Sequence, residues 1–135
     1  MSEQGADQIA RLREAYAAFN RGDYDDALEG AVHAEIEFFP PGAQPPIRGA
    51  GGFRAWMEPD AFESQTLEAL DMQATDNGVL VRQRMIARGA GSGIEMNIEL
   101  WAVWTYDEAG LIVRVHGFLP HERAEAFAAA GLAEP

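Results

Sequence analysis

The chain has 135 residues, is 47% hydrophobic, and sets 22 acidic side chains against 10 basic ones for a net charge of −12. That length and apolar content fit one soluble domain, expected over residues 1–135 with an ordered core from about residue 7 to residue 132. A field of this sign repels phosphates and so excludes nucleic acid and disfavours anionic membranes, while the absence of cysteine removes disulfides, thiol nucleophiles and cysteine-ligated metals. The opening "MSEQGADQIA" has no basic segment followed by an apolar one, and no apolar run approaches the roughly 20 residues that cross a bilayer. The expectation is a cytoplasmic protein without a membrane partner.

Ile9, Leu12, Tyr16 and Phe19 step by three, four and three, which predicts a helix with one apolar stripe. Gly22 suits the position past its end, and Asp23 can cap a short second helix that uses Tyr24, Ala27, Leu28 and Ala31. "EIEFF" reads as a short strand stopped by Pro40 and Pro41, since proline cannot donate to a ladder. "GAGGF" leads into a third helix with Phe53, Trp56 and Met57 on one face, ended by Pro59. Its glycines lack the Lys-Ser or Lys-Thr of a phosphate loop, and no cofactor motif is present.

From about Thr66 the texture becomes strands, "TLEALDMQAT", "VLVRQRMIAR", "IEMNIELWAVWTY" and "LIVRVHGFL", separated by the turns "DNG", "GAGSG" and "DEAG". After Pro120, "HERAEAFAAAGL" predicts a short closing helix with Gly131 beyond its end. Helices followed by an antiparallel meander give the class α+β.

"REAYAAFNRGDYDDAL", "IEFFPPGAQPPIRG" and "SGIEMNIELWAVWTYDEAGLIVRV" together resemble the nuclear-transport-factor-2-like superfamily, particularly its SnoaL-like polyketide-cyclase and ketosteroid-isomerase branches. The resemblance implies a cone-shaped, bent antiparallel sheet packed against three N-terminal helices, an apolar cavity inside, and often a dimer through the outer face of the sheet. It implies no single activity, because the superfamily holds isomerases, cyclases, hydrolases and non-enzymes. Steroid isomerisation needs a carboxylate base, a tyrosine and a protonated aspartate. Their places here fall on Phe39, Ala15 and Ala102, so that chemistry is not expected.

Side chains two apart share a face of a strand. With Ala102 inward, Leu100 and Trp104 follow, then Val115 on the last strand and Gln83 and Met85 on an earlier one. With Phe39 taken as inward, Glu37 follows. The expected ligand-binding set is therefore Tyr16, Phe19, Phe39, Trp56, Gln83, Met85, Leu100, Trp104 and Val115, around a small apolar molecule. Glu37 has two readings, a general base in apolar surroundings or a carboxylate at the cavity mouth, hydrated or paired with an arginine such as Arg48. Gln83 can orient a ligand or serve the scaffold, but it is no base. "HAEIE" offers His33, Glu35 and Glu37, yet His33 is expected in the preceding turn and no metal site is predicted.

Two functions follow: a binding protein that encloses an apolar ligand, or an isomerase, cyclase or hydrolase that uses Glu37 on a small polyketide-, terpenoid- or steroid-like compound. On the opposite face alternation gathers Arg82, Arg84, Ile86, Trp101, Val103, Arg114, His116 and Phe118. Such a patch needs a cover, either a second copy in a homodimer, the reading adopted, or the chain's own C-terminal segment.

Overall fold

The computed structural model describes residues 3–42, 44–58 and 60–135. Helix α1 (Glu3–Asn20) buries Leu12, Tyr16 and Phe19 on the expected stripe, with Ile9 partly covered. The chain reverses at Gly22, whose φ of 82° suits a residue without Cβ. Short helix α2 (Tyr24–Leu28) follows, then strands β1 (Val32–Phe39) and β2 (Ile47–Arg48) and helix α3 (Ala50–Met57). The meander is β3 (Phe62–Ala74), β4 (Gly78–Gly89), β5 (Glu95–Tyr106) and β6 (Ile112–Phe118), and a 3-10 turn at Pro120–Glu122 leads into helix α4 (Arg123–Ala130). Pro59, expected to stop α3, lies outside the described residues, and α3 ends at Met57.

The six strands lie in the order β2-β1-β6-β5-β4-β3. Four of the five neighbouring pairs are antiparallel; β1 and β6 run parallel, so the sheet is mixed rather than wholly antiparallel. Hairpin turns force antiparallel neighbours, but β1 and β6 are joined through the rest of the sheet and their direction is free. The first strand also begins earlier than expected, at Val32, which puts His33 inside it rather than in the turn. Register shifts in β3, between Phe62 and Ser64 and between Ala69 and Asp71, mark bulges of the kind that bend long strands. The bent sheet wraps against α1, and Asn20 ties the two together. Its side-chain amide donates to Leu67 O at 2.8 Å and its oxygen accepts from Leu67 N at 2.7 Å, giving edge strand β3 a ladder-like pair from the helix.

The sheet is buried on both sides. On the concave side α1, α2 and α3 pack over Ile36, Phe38, Val79, Val81, Ala102 and Val115. On the convex side α4 packs over Leu80, Val103 and Phe118, inserting Ala126 and Phe127, with Trp101 at the margin. Phe127 meets Trp101 edge-on at 5.4 Å, and the Arg123 guanidinium lies over both rings at 5.3 and 6.0 Å. The aromatic patch expected to anchor a second copy is thus covered by the chain's own C-terminal helix. What α4 leaves open is mostly ion-paired: Arg82 with Glu99, Arg84 with Glu68, and Arg88 with Glu95.

Phe127→Ala is expected to cost about 3–5 kcal/mol of unfolding free energy, as a buried phenylalanine does, and to strip hydrogen-exchange protection from α4. Urea denaturation and exchange measure the two; a loss under about 1 kcal/mol would mean that α4 is not docked on the sheet.

Candidate functional site

Between α1, α3 and the concave face lies a cavity of about 100 Å³. Its wall is built from Tyr16 and Phe19 of α1, Phe38 of β1, Phe53 and Trp56 of α3, and inward residues of the meander: Leu67, Gln83, Met85, Leu100, Ala102, Trp104 and Val115. Among the described residues no lining side chain carries a charge. The alternation set by Ala102 thus holds across β4, β5 and β6, where Gln83 pairs with Leu100, Val81 with Ala102 and Val79 with Trp104.

Three polar side chains meet at one point of this wall. The Trp104 indole N–H donates to the Tyr16 hydroxyl at 3.2 Å, and the hydroxyl donates to Gln83 Oε1 at 2.5 Å. Burial pushes the Tyr16 phenol well above its ordinary value, and the Trp104 donor opposes this only in part. The phenol therefore stays protonated, a donor and not a base. Gln83 is buried, and among the described residues its Nε2 has no protein partner. Because Gln83 lines the cavity, that amide supplies two unused donors toward it. Gln65 adds a second neutral group; its Nε2 donates to Met57 O at 2.6 Å.

Aromatic rings continue from this point outward. Tyr16 meets Trp104 at 5.9 Å, Trp104 meets Phe53 at 6.4 Å, Phe53 meets Phe38 at 5.1 Å and Phe38 meets Trp56 at 4.6 Å, each with planes 64–73° apart. Trp56, 39% exposed, marks the mouth. Pro41 lies against the wall beside Gly117, where a Cβ would come 2.7 Å from the proline ring. The glycine at 117 lets the proline loop seat directly on β6.

Of the expected lining residues, Tyr16, Phe19, Trp56, Gln83, Met85, Leu100, Trp104 and Val115 line the cavity. Phe39 and Glu37 do not, because the phase of β1 is one residue from that expected. β1 pairs with β6 as Phe38 with Val115 and Phe39 with His116, and Val115 is inward, so Phe38 and Ile36 take the inner face. Phe39 instead packs on the His116 ring at 5.2 Å, and His116 stacks on Phe118 at 4.2 Å. Burial lowers the His116 pKa, with nearby Arg114 in the same direction and Glu122 opposing. Glu37 sits on this outer face between two arginines, 3.2 Å from Arg48 and 3.5 Å from Arg114. The second reading of Glu37, a carboxylate paired with Arg48, is the one its surroundings match. Phe38, Phe53 and Gln65 also line the cavity and lie outside the expected set; Ile36 and Phe38, two residues apart and both buried, mark the inner face once β1 is paired with β6.

A separate hollow of about 540 Å³ opens between α1, α2 and the end of β5. Its arginines are already engaged, Arg11 with Asp7 and Arg21 with Asp23 and Asp26. Among the described residues no three His, Asp or Glu side chains converge as metal ligands would. Among the described residues no helix is long and apolar enough to cross a membrane.

Comparison with known proteins gives one family: the SnoaL-like domain, matched over residues 12–115. No curated protein sequence matches the chain. Among solved structures, Bal32a from a soil-derived mobile gene cassette is 16% identical with a TM-score of 0.77, covering 98% of this chain and 100% of its own. SalBIII, an epoxide hydrolase/cyclase-like enzyme of pyran ring formation in the polyether salinomycin, is 18% identical with a TM-score of 0.74, covering 84% and 90%. A protein of Jannaschia sp. CCS1 described as a SnoaL-like polyketide cyclase is 16% identical with a TM-score of 0.72, covering 100% and 98%. At such identities the likeness establishes the shared cone-like fold.

With Glu37 outside the cavity, Glu37→Gln is expected to leave ligand uptake unchanged. Stability should change by about 1 kcal/mol or less, as for other exposed ion pairs. Parallel binding titrations and urea melts of the two proteins check both; a loss of uptake would return Glu37 to the site.

Proposed function

This chain belongs to the SnoaL-like domain family, and on that premise we propose that it binds a small neutral apolar molecule and orients it through a carbonyl or hydroxyl oxygen, without acid–base turnover. The observation that carries this reading is the composition of the cavity wall. Among the described residues its only titratable side chain is Tyr16, and burial holds that phenol neutral. A general base must lie within hydrogen-bond reach of the proton that it takes, and among the described residues no carboxylate or imidazole lines the cavity. A charged ligand would find no counter-charge in the wall and would lose its hydration on entry.

Orientation falls to Gln83. Its Oε1 is engaged by Tyr16, which fixes the amide plane, and its Nε2 is left to donate to an oxygen in the cavity. The aromatic edges around it present the apolar surface that such a ligand buries.

On partners, the proposal of a homodimer through the outer face now rests on the strip that α4 leaves open. There Arg82, Arg84, Ile86 and their acidic neighbours would have to complement themselves across a twofold axis. Sedimentation equilibrium at micromolar concentration is expected to show the dimer; a monomer throughout removes it.

For the ligand, Gln83→Met keeps side-chain length and removes the amide. It is expected to weaken acetophenone by about tenfold, the worth of one net hydrogen bond, and to leave ethylbenzene, which has no oxygen, unchanged. Isothermal titration with both compounds reads the difference. Equal losses for the two would show that Gln83 shapes the wall without gripping an oxygen.

A further inference from the structure

One long free edge is left in this sheet. Of the two edge strands, β2 has two residues, too few to template a neighbour, whereas β3 runs for 13 residues. In an antiparallel pair, alternate residues turn their backbone N–H and C=O away from the neighbouring strand. Leu67 does so, since Asn20 reaches both of its groups, and Gln65 and Ala69 keep the same register against β4 and share that direction. A row of such groups is a template on which another chain adds.

The middle of that row is occupied. Among the described residues Asn20 is the one side chain that bonds the β3 backbone, accepting from Leu67 N at 2.7 Å and donating to Leu67 O at 2.8 Å. A carboxamide offers an acceptor and a donor in one plane, the same pair that a residue of an adjacent strand offers. Its position is fixed from behind. Asn20 ends α1, where Gly22 N donates to Phe19 O at 3.0 Å and Asp23 N to Ala18 O at 2.9 Å, with Ala18 and Phe19 buried. The bonds to Leu67 are themselves exposed, so water replaces them when the amide is removed and the fold gains little from them. Toward its ends the edge is protected differently: Glu63 and Asp71 are exposed acids, and like charges oppose pairing. Between them, residues 65–69 hold one acid, Glu68, which already faces Arg84 at 3.8 Å.

We propose that the β3 edge is a contact surface for the same strand of a second copy, and that Asn20 is the guard that keeps it closed. The sequence about Leu67 suits a second copy. Run antiparallel about that residue, two copies set Gln65 against Ala69 and Thr66 against Glu68, with no like charges opposite one another in this stretch. The clamp lies at the centre of that pairing. It takes the two bonds that Leu67 would exchange with its counterpart, and from which the ladder would grow.

The test compares the native protein with Asn20→Ala by sedimentation velocity as concentration is raised, with circular dichroism to check the fold. The native protein is expected to keep one mass, that of the monomer or of the outer-face dimer. Folded Asn20→Ala should reach at least twice that mass. If the native protein is the dimer, its species should go on growing, since a second twofold contact joins dimers into open chains. Amide exchange locates the contact: Gln65 and Ala69 should slow by tenfold or more in the associated variant. Adding Thr66→Glu sets a carboxylate opposite Glu68 of the second copy and should restore the native mass. Asn20→Ser serves the same comparison if the alanine variant does not fold. Loss of fold in both would overturn the proposal, because Asn20 would then serve the fold and not its edge. A folded variant with the native mass would show that the edge needs no guard. Larger species without protection at Gln65 and Ala69, or undiminished by Thr66→Glu, would place the contact elsewhere and overturn it as well.

Discussion

A buried phenol organises this molecule. Tyr16 brings its hydroxyl into a wall otherwise made of hydrocarbon and rings, and a polar group left unpaired there costs about 1–3 kcal/mol. Trp104 and Gln83 satisfy it from two adjacent strands, so one hydrogen-bond chain fixes α1 against both β4 and β5. The same chain orients Gln83: with Oε1 committed to Tyr16, the amide nitrogen turns to the cavity. The scaffold contact and the proposed binding group are in this way one interaction. Sites held by such second contacts keep their geometry without needing the ligand to organise them.

The sheet's two buried faces divide the work. The concave face, under three helices, is incompletely filled and keeps a cavity; the convex face, under α4 alone, is filled by Phe127, Ala126 and Phe118. A sheet with one open face would present Trp101, Val103 and Phe118 to any partner. Here α4 removes most of that surface, and the ion pairs of Arg82 and Arg84 occupy the remainder. The charge arrangement follows the same division. The chain has a net charge of −12, yet among the described residues the cavity wall has no acid.

The architecture was readable because periodicity is a property of neighbouring residues. Ile9, Leu12, Tyr16 and Phe19 mark a helix face without reference to anything else, and the turns "DNG", "GAGSG" and "DEAG" separate the four meander strands at the observed places. Alternation then carried Ala102 correctly to Leu100, Trp104, Gln83 and Val115. It misplaced Glu37 and Phe39 because "EIEFF" is apolar in both phases near its end, and the Pro40 corner was used to choose between them. A corner carries no information on phase; the neighbouring strand does, and β1 pairs with a strand nearly 80 residues away in sequence. The meeting of Tyr16, Gln83 and Trp104 was invisible for a related reason. The three are separated by 67 and 88 residues, and only the register of the folded sheet brings them together.

Acid therefore acts on this protein at a distance from its cavity. His116, on the convex side between Phe39 and Phe118, has its pKa lowered chiefly by burial, so the folded chain binds a proton there less readily than the unfolded chain. Stability from that group is complete above the unfolded value of about 6.5 and declines as pH falls through it, levelling off below the folded value. Among the described residues that line the cavity none titrates in that interval: the phenol of Tyr16 is protonated throughout, and Gln83 and Trp104 carry no ionisable proton. Mild acid is thus expected to lower folding stability through His116 on the outer face without changing the charge of the described wall. The contacts that the proposed function assigns to a ligand, a neutral amide and ring edges, would not depend on the protonation state of any described side chain that lines the cavity.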